Sequence, residues 1–272
     1  MRGVLLISAL LWLGLATAAQ AAGVCQARLV SLLRLEEVVQ IMQQEGLDQG
    51  RDLGASMLQE SGGAAWERRL QLLYDVPRMT DQAVAGVTSR IPDQDCGAML
   101  AFFDTPLGQQ IVEGEISVRR AFLDSAVEDA SRRAYTLGES GADPHLAEVS
   151  GYIQLNDLLE RNVSGALNSN YRFYLGLVHG EYLHLTEDEI LAEAWAAEAE
   201  TRADMDEWLH AYLSAAYAGL NVDQLRAYNA FSASPAGQTL NRALFGGFDS
   251  MYEALSYGLG LAIAHASLGA DL

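Results

Sequence analysis

Lysine is absent from the 272-residue chain, and all 17 of its basic residues are arginine. A P-loop nucleotide site and Schiff-base chemistry each need an amine in a defined position, so the missing lysine excludes both. Positive charge is scarce as well, because 36 acidic residues give a formal net charge of −19. Such a field repels phosphate backbones and excludes nucleic acid as a partner. The same field selects a cationic partner or simply keeps the protein soluble.

Two common catalytic signatures are also missing. Neither the Gly-x-Ser-x-Gly nucleophile elbow nor the His-Glu-x-x-His zinc motif occurs anywhere in the chain. Hydrolase activity therefore has no support, and we expect no catalytic residues and no cofactor.

Long apolar runs are few, and the first lies at the N-terminus. Arg2 precedes an apolar run from Val4 to Leu15, and the small residues Ala19 and Ala21 follow it. This pattern predicts a secretory signal peptide over residues 1–21. The competing interpretation is a membrane anchor, but the run is shorter than the roughly 20 residues that a spanning helix needs. We expect a periplasmic or secreted protein of a Gram-negative bacterium, with no transmembrane anchor in the mature chain.

The chain has only two cysteines, Cys25 and Cys96. An oxidising compartment allows them to pair, so we predict a disulfide between them. Closing a loop of that length removes about 4 kcal/mol of unfolded-state entropy. The alternative is two free buried thiols.

An internal repeat is present. The segment Thr105-Pro106-Leu107-Gly108-Gln109 recurs 129 residues later as Ser234-Pro235-Ala236-Gly237-Gln238, and the same offset carries Trp66 onto Trp195. Nearer the start, an offset of 120 carries 35–39 onto 155–159. The pattern predicts two diverged copies of one helical unit.

The boundary between the copies is set by glycines, a serine and an Asp-Pro pair after position 137. Such residues stop one helix and begin another. We therefore predict a first unit over 22–138, a linker over 139–143 and a second unit over 144–272.

The recurring motif predicts a helix start. Thr105 and Ser234 are N-cap residues, and Pro106 and Pro235 take the first helical position without losing a hydrogen bond. The following glycines, Gly108 and Gly237, allow the preceding helix to come close. The motif therefore predicts a helix–helix corner. The alternative is an anion bound at the helix N-terminus, which the acidity of the chain opposes.

A resemblance follows from this motif. Phe231-x-x-Ser234-Pro235-x-Gly237-Gln238, preceded by the run from Tyr217 to Leu225, resembles the signature of the domain of unknown function 2059 family. The resemblance is closest over 195–255, whereas the first copy departs from it at 91–96. It implies an exported helical protein of a Gram-negative bacterium, and it supplies no catalytic residues.

Helical periodicity covers most of the chain. It predicts helices over 26–45, 63–75 and 105–137, and a capping box at Thr186 predicts another that runs to about Gly219. Within 105–137, acids stand four residues before arginines and predict a solvated face. The pairs are Glu115/Arg119, Glu128/Arg132 and Asp129/Arg133.

Two further features have competing interpretations. The apolar run from Leu255 to Leu268 predicts a terminal helix buried against both units, with an amphipathic or partner-docking segment as the alternative. Trp66 and Trp195 stand beside helical apolar stripes, so we expect both to pack in the core rather than to stack on a ligand.

One pattern indicates metal chemistry. Glu181 and His184, and likewise Glu207 and His210, have Glu-x-x-His spacing, which on a helix places carboxylate and imidazole on one side. Di-iron bundles use two such pairs. However, the pairs lie too close in sequence for that architecture, and Gly176 and Gly180 place the first pair near a turn. We therefore expect no metal site and two partly exposed pairs on the helix surface.

The sequence thus predicts an all-α fold of two pseudo-repeated helical units packed into one bundle-like body. We expect a non-catalytic binding or structural module that acts on a protein or small-molecule partner. The alternatives are a di-iron-like metalloprotein and a chaperone-like or lipid-handling module that uses a groove between the units.

Overall fold

The computed structural model describes residues 23–58, 63–138 and 143–267, and every regular element in these ranges is helical. The predicted all-α fold is therefore confirmed. The predicted signal peptide, residues 1–21, and residues 139–142 of the predicted linker lie outside the described part of the chain.

We refer to residues 23–138 as the first half and to residues 143–267 as the second half. The helices of the first half are α1 (23–32), α2 (Leu35–Met57), α3 (Gly63–Leu73), α4 (Val76–Thr88), α5 (Asp93–Phe103), α6 (Pro106–Ala121) and α7 (Ser125–Gly138). The helices of the second half are α8 (Pro144–Leu155), α9 (Leu158–His179), α10 (Glu187–Ala196), α11 (Glu198–Ala216), α12 (Val222–Ala233) and α13 (Pro235–Ser267).

The predicted helix starts are present. Thr105 accepts a hydrogen bond from the amide of Gly108 at 3.0 Å, and Ser234 accepts one from Gly237 at 3.1 Å. At Thr186 the side chains and backbone groups of the N-cap and Glu189 exchange hydrogen bonds, as a capping box requires.

Two of the predicted helices are broken by turns. The segment predicted as one helix over 26–45 turns at Arg34, whose backbone is left-handed at φ 52°. The guanidinium of Arg34 donates to the carboxylates of Glu37 and Glu113. The segment predicted over 105–137 breaks after α6, because Asp124 accepts a hydrogen bond from the amide of Ala126 and caps a new helix.

Two later predictions also need correction. The helix that begins after Thr186 does not run to Gly219, because α10 and α11 are separated by Ala197. The apolar C-terminal run is not a separate helix but the end of α13, which is 33 residues long. As expected, α13 packs against helices of both halves, most extensively against α9 and α4.

The two halves interlock. Helix α4 of the first half packs on α13 of the second half, whereas α11 of the second half packs on α6 and α7 of the first. Phe102 and Phe231, each three residues before its N-cap, stack across this interface with ring centroids 4.1 Å apart. The core is therefore shared between the halves.

The two motifs form corners of the same geometry. A Cβ at Gly108 would lie 2.5 Å from the carbonyl oxygen of Phe102, and one at Gly237 would lie 2.2 Å from that of Phe231. Only glycine permits so close an approach of the preceding helix.

The glutamine that ends each motif ties the corner to a neighbouring helix. Gln109 donates to the carbonyls of Phe103 and of Leu32, where α1 ends. Gln238 donates to the carbonyls of Ser232 and of Leu155, where α8 ends. Each glutamine therefore joins three helices.

The short helices α1 and α8 are each followed by a turn and then by a long helix. Each ends just before a left-handed residue, Arg34 at φ 52° and Asp157 at φ 56°, after which a long helix begins. Leu35 thus starts α2, whereas Leu155 ends α8, so the offset of 120 does not pair equivalent positions.

The predicted disulfide is present. Cys25 of α1 and Cys96 of α5 are bonded, with their Cα atoms 6.3 Å apart. The bond fastens the first helix to the first corner across 71 residues of sequence.

The two repeated tryptophans lie in different environments. Trp66 is 3% exposed because its ring fits against Gly54 of α2, and its indole donates to the carbonyl of Gly50. Trp195 is 60% exposed, so its predicted place in the core is wrong. The two glycines of α9, Gly165 and Gly176, face α13, and α9 therefore offers α10 no matching groove.

None of the helices in the three described ranges combines the length and the apolar character that crossing a membrane requires.

Candidate functional site

A cavity of about 180 Å³ lies between the two halves. Helices α2, α5 and α6 form one side, and α8, α11, α12 and α13 form the other. Most of its lining is aliphatic or aromatic, and the polar residues among the lining are Glu115, Arg119, Tyr152, Asn156, Tyr212, Tyr228, Ser232 and Asn241. An apolar pocket with a few convergent polar groups is typical of small-ligand sites.

Glu115 is the acidic side chain of this lining. It lies on the face of α6 that also carries the buried Ile111, Val112 and Ile116. Its Oε1 atom accepts a hydrogen bond from the hydroxyl of Tyr217 at 2.6 Å and a longer one from Tyr228 at 3.5 Å. Burial raises the pKa of Glu115 to about 7, although these two hydrogen bonds act in the opposite direction.

Tyrosines from the second half surround this carboxylate. The hydroxyls of Tyr152 and Tyr228 lie 2.7 Å apart, and Tyr212 donates to the backbone carbonyl of Glu115 at 2.8 Å. Burial, with a further contribution from the Glu115 charge, raises the pKa of Tyr152, Tyr212, Tyr217 and Tyr228. The hydroxyls therefore stay protonated at neutral pH.

Arg119 follows Glu115 by one helical turn but does not pair with it. Its guanidinium donates to both carboxylate oxygens of Glu45 on α2, at 2.9 and 2.8 Å, and to the hydroxyl of Tyr252 at 3.3 Å. The predicted surface pair Glu115/Arg119 is therefore wrong. Two charges of opposite sign lie on one turn, and within the described ranges only the positive one has a charged partner.

The candidate metal ligands do not come together. Glu181 and His184 lie in the turn and the irregular segment after α9, so no helix holds the two side chains on one face. Glu207 instead approaches Arg132 at 3.8 Å. No group of three potential His, Cys, Asp or Glu ligands forms a metal site among the residues that the structure describes.

His210, the fourth candidate, belongs to a different cluster. Its Nε2 lies 3.2 Å from the hydroxyl of Ser150, its Nδ1 lies 2.8 Å from the backbone oxygen of Asp206, and its ring stacks on Tyr135. The sequence of contacts from Ser150 to His210 to Asp206 resembles the serine–histidine–aspartate order of a hydrolase triad. However, Ser150 lies inside α8, whose amides are used within the helix, so no oxyanion hole faces it. These contacts pack α8, α11 and α7 together.

Sequence reasoning missed Glu115. The available signal was its position in the apolar stripe of α6, one turn after Ile111 and three residues after Val112. A single acid on the buried face of an amphipathic helix indicates a functional or paired carboxylate.

No protein-family model, no curated protein and no solved structure matches the chain. The cavity and its lining are therefore the evidence for function.

Proposed function

We propose that the protein is an exported, non-catalytic binding protein that holds a small organic ligand in the cavity between its two halves. The observation that carries the proposal is the Glu115 carboxyl, which lies among apolar and aromatic walls formed by both halves. A largely apolar pocket that contains a carboxyl with a perturbed pKa is the arrangement expected of a ligand site.

The volume of the cavity favours a small ligand. An engineered apolar cavity of about 150 Å³ holds benzene, and drug-sized ligands occupy about 300 Å³ or more. At about 180 Å³ the cavity fits one ring or a short chain. Long acyl chains exceed this space, so the size argues against the lipid-handling alternative.

Binding is favoured over catalysis by the chemistry of the lining. General acid–base catalysis of most reactions needs a second group that titrates near neutrality or an activated nucleophile. Here the titratable companions of Glu115 are tyrosines with raised pKa values and an arginine held by Glu45.

Export and the internal repeat belong to the same proposal. Export is supported by the sequence pattern of residues 1–21 and by the Cys25–Cys96 disulfide, which an oxidising compartment sustains. N-terminal sequencing of protein from the periplasm is expected to begin at Ala22.

The two-copy origin and the membership of the domain of unknown function 2059 family rest on the Ser/Thr-Pro-x-Gly-Gln motif, supported by the matching contacts of Gln109 and Gln238.

The test of the binding function is occupation of the cavity by a neutral one-ring probe, benzyl alcohol, measured by saturation-transfer NMR on the full mature chain. Leu240→Phe fills the cavity, because Leu240 is 4% exposed and lines it. Leu72→Phe is the matched control at a position that is 73% exposed. We expect transfer to the wild type and to Leu72→Phe but not to Leu240→Phe; equal transfer to all three would place the probe elsewhere and overturn the proposal.

A further inference from the structure

The inference concerns the charge of the ligand and rests on the proposed binding function. No cationic side chain pairs with the Glu115 carboxylate within the described part of the chain. Both tyrosine hydrogen bonds go to Oε1, and the hydrogen bonds found in the described residues leave Oε2 unused. A buried carboxylate without a positive partner is unfavourable, and a positive group placed beside it removes that penalty.

The nearest arginine cannot supply this charge. Arg119 is bound through two nitrogens by Glu45, so the pair contributes little net charge to the cavity. With Glu115 ionised, the set of three groups carries one negative charge. Once Glu115 has ionised, the charge that balances it is a single positive charge that enters with the ligand.

Aromatic rings form much of the remaining wall. The rings of Tyr152 and Tyr228 stack 4.7 Å apart, and the other aromatic lining residues are Phe103, Tyr212, Phe231 and Phe248. An anionic ligand would meet these rings and Glu115 and would have to displace Glu45 from Arg119.

We propose that the ligand is a small organic cation, an amine with one ring or a short chain, whose ammonium group pairs with Oε2 of Glu115. The net charge of −19 raises the local concentration of such a cation around the protein. The tyrosine hydroxyls hold the carboxylate in place, and the apolar walls take the hydrocarbon part of the amine.

The test uses three probes that share one ring: benzylamine, benzyl alcohol and benzoate, titrated calorimetrically into the full mature chain. We expect benzylamine to bind about ten- to a hundredfold more tightly than benzyl alcohol, the range of one charge-assisted hydrogen bond. Glu115→Gln should remove this preference, so that benzylamine binds to the variant no more tightly than benzyl alcohol does. Glu36→Gln, the same change at an exposed position on α2, is the matched control.

The outcomes separate the two proposals. Equal binding of benzylamine and benzyl alcohol, both lost in Leu240→Phe, would overturn the cation and leave the binding function standing. Tighter binding of benzoate would overturn the cation in favour of an anion at Arg119. Failure of all three probes would overturn both proposals.

A second measurement serves if Glu115→Gln does not fold. Benzylamine affinity of the wild type should rise between about pH 6 and pH 8, as Glu115 ionises, while benzyl alcohol affinity stays constant. The groups that face Glu115 from the packed helices are Tyr152, Tyr212, Tyr217, Tyr228 and the Arg119–Glu45 pair. Because their tyrosine pKa values are raised, the hydroxyls do not titrate in this range. Constant benzylamine affinity would overturn the proposal.

Discussion

The corners at Thr105 and Ser234 have the same backbone geometry but are fastened to their short helices by different chemistry. In the first half, the Cys25–Cys96 disulfide joins α1 to α5. In the second half, α8 is joined to α12 by Glu148, whose side chain accepts hydrogen bonds from Arg226 and Asn229.

The same local motif therefore has a different role in each half of the molecule. The first corner is fixed by a covalent bond, with the ion pair between Arg28 of α1 and Asp104 beside it. The polar corner also carries Tyr152 and Tyr228, whose hydroxyls meet beside the cavity. One half therefore supplies the anchor, and the other supplies most of the polar side chains of the site.

The largest expected difference between the corners follows from removing their fastenings. Replacing both Cys25 and Cys96 by serine should lower the free energy of unfolding by about 4 kcal/mol, because a long unfolded loop is no longer closed. Glu148→Gln should lower it by about 1 kcal/mol or less, since the ion pair with Arg226 is exposed. Urea denaturation measures both losses of stability, and equal losses would contradict the expected difference between the two corners.

The next contrast is the response to pH, which belongs to the polar side. Burial raises the pKa of Glu115 to about 7, so between pH 4.5 and 7 the folded protein holds a proton that the unfolded chain releases. Stability should therefore fall as pH rises through this window, by up to about 3 kcal/mol. Urea denaturation from about pH 5 to pH 8 should show a decline in the wild type. A decline of the same size in Glu115→Gln would assign it to other groups.

The two glycines test whether the corners are equally tight. Gly108→Ala and Gly237→Ala should each lower the free energy of unfolding by about 2 kcal/mol, because the added Cβ meets a backbone carbonyl. Gly97→Ala is the control on α5, where the Cβ meets nothing within 4 Å, and it should stabilise by about 0.5–1 kcal/mol. Markedly unequal losses of stability would show that the two corners are not equally tight.

The smallest expected effect concerns the caps. Thr105→Ala and Ser234→Ala each remove one hydrogen bond to a helix amide and should lower stability by about 1 kcal/mol. Thr105→Ser, which keeps the hydroxyl, is the control and should change little. Thermal unfolding followed by circular dichroism measures the series.

Local features of the fold could be predicted from sequence because their causes are local. The caps at Thr105 and Ser234 need only the neighbouring amides, and the disulfide followed from having two cysteines. The break at Arg34 was missed because no glycine or proline marks it. Its left-handed residue is an arginine, a residue type that the sequence gives no reason to place in that conformation.

The site could not be predicted for a related reason. Glu115 and Arg119 have the spacing of a surface ion pair, and only tertiary packing brings Glu45 to Arg119 and leaves Glu115 to the tyrosines. The predicted burial of Trp195 was wrong for a similar reason, because a tryptophan on a helix is buried only where the neighbouring helix offers a groove. Glycines of α2 provide that groove for Trp66 alone.

Helix α13 is the last described helix, and its position affects when the core can form during synthesis. Its residues Met251, Leu255 and Ile263 belong to the same apolar cluster as Trp66 and Met79 of the first half. That cluster cannot close until the last helix has been synthesised. Until then its apolar surface is open to other chains, a state that favours aggregation. A chain truncated before α13 would therefore leave the apolar surface around Trp66 and Met79 uncovered.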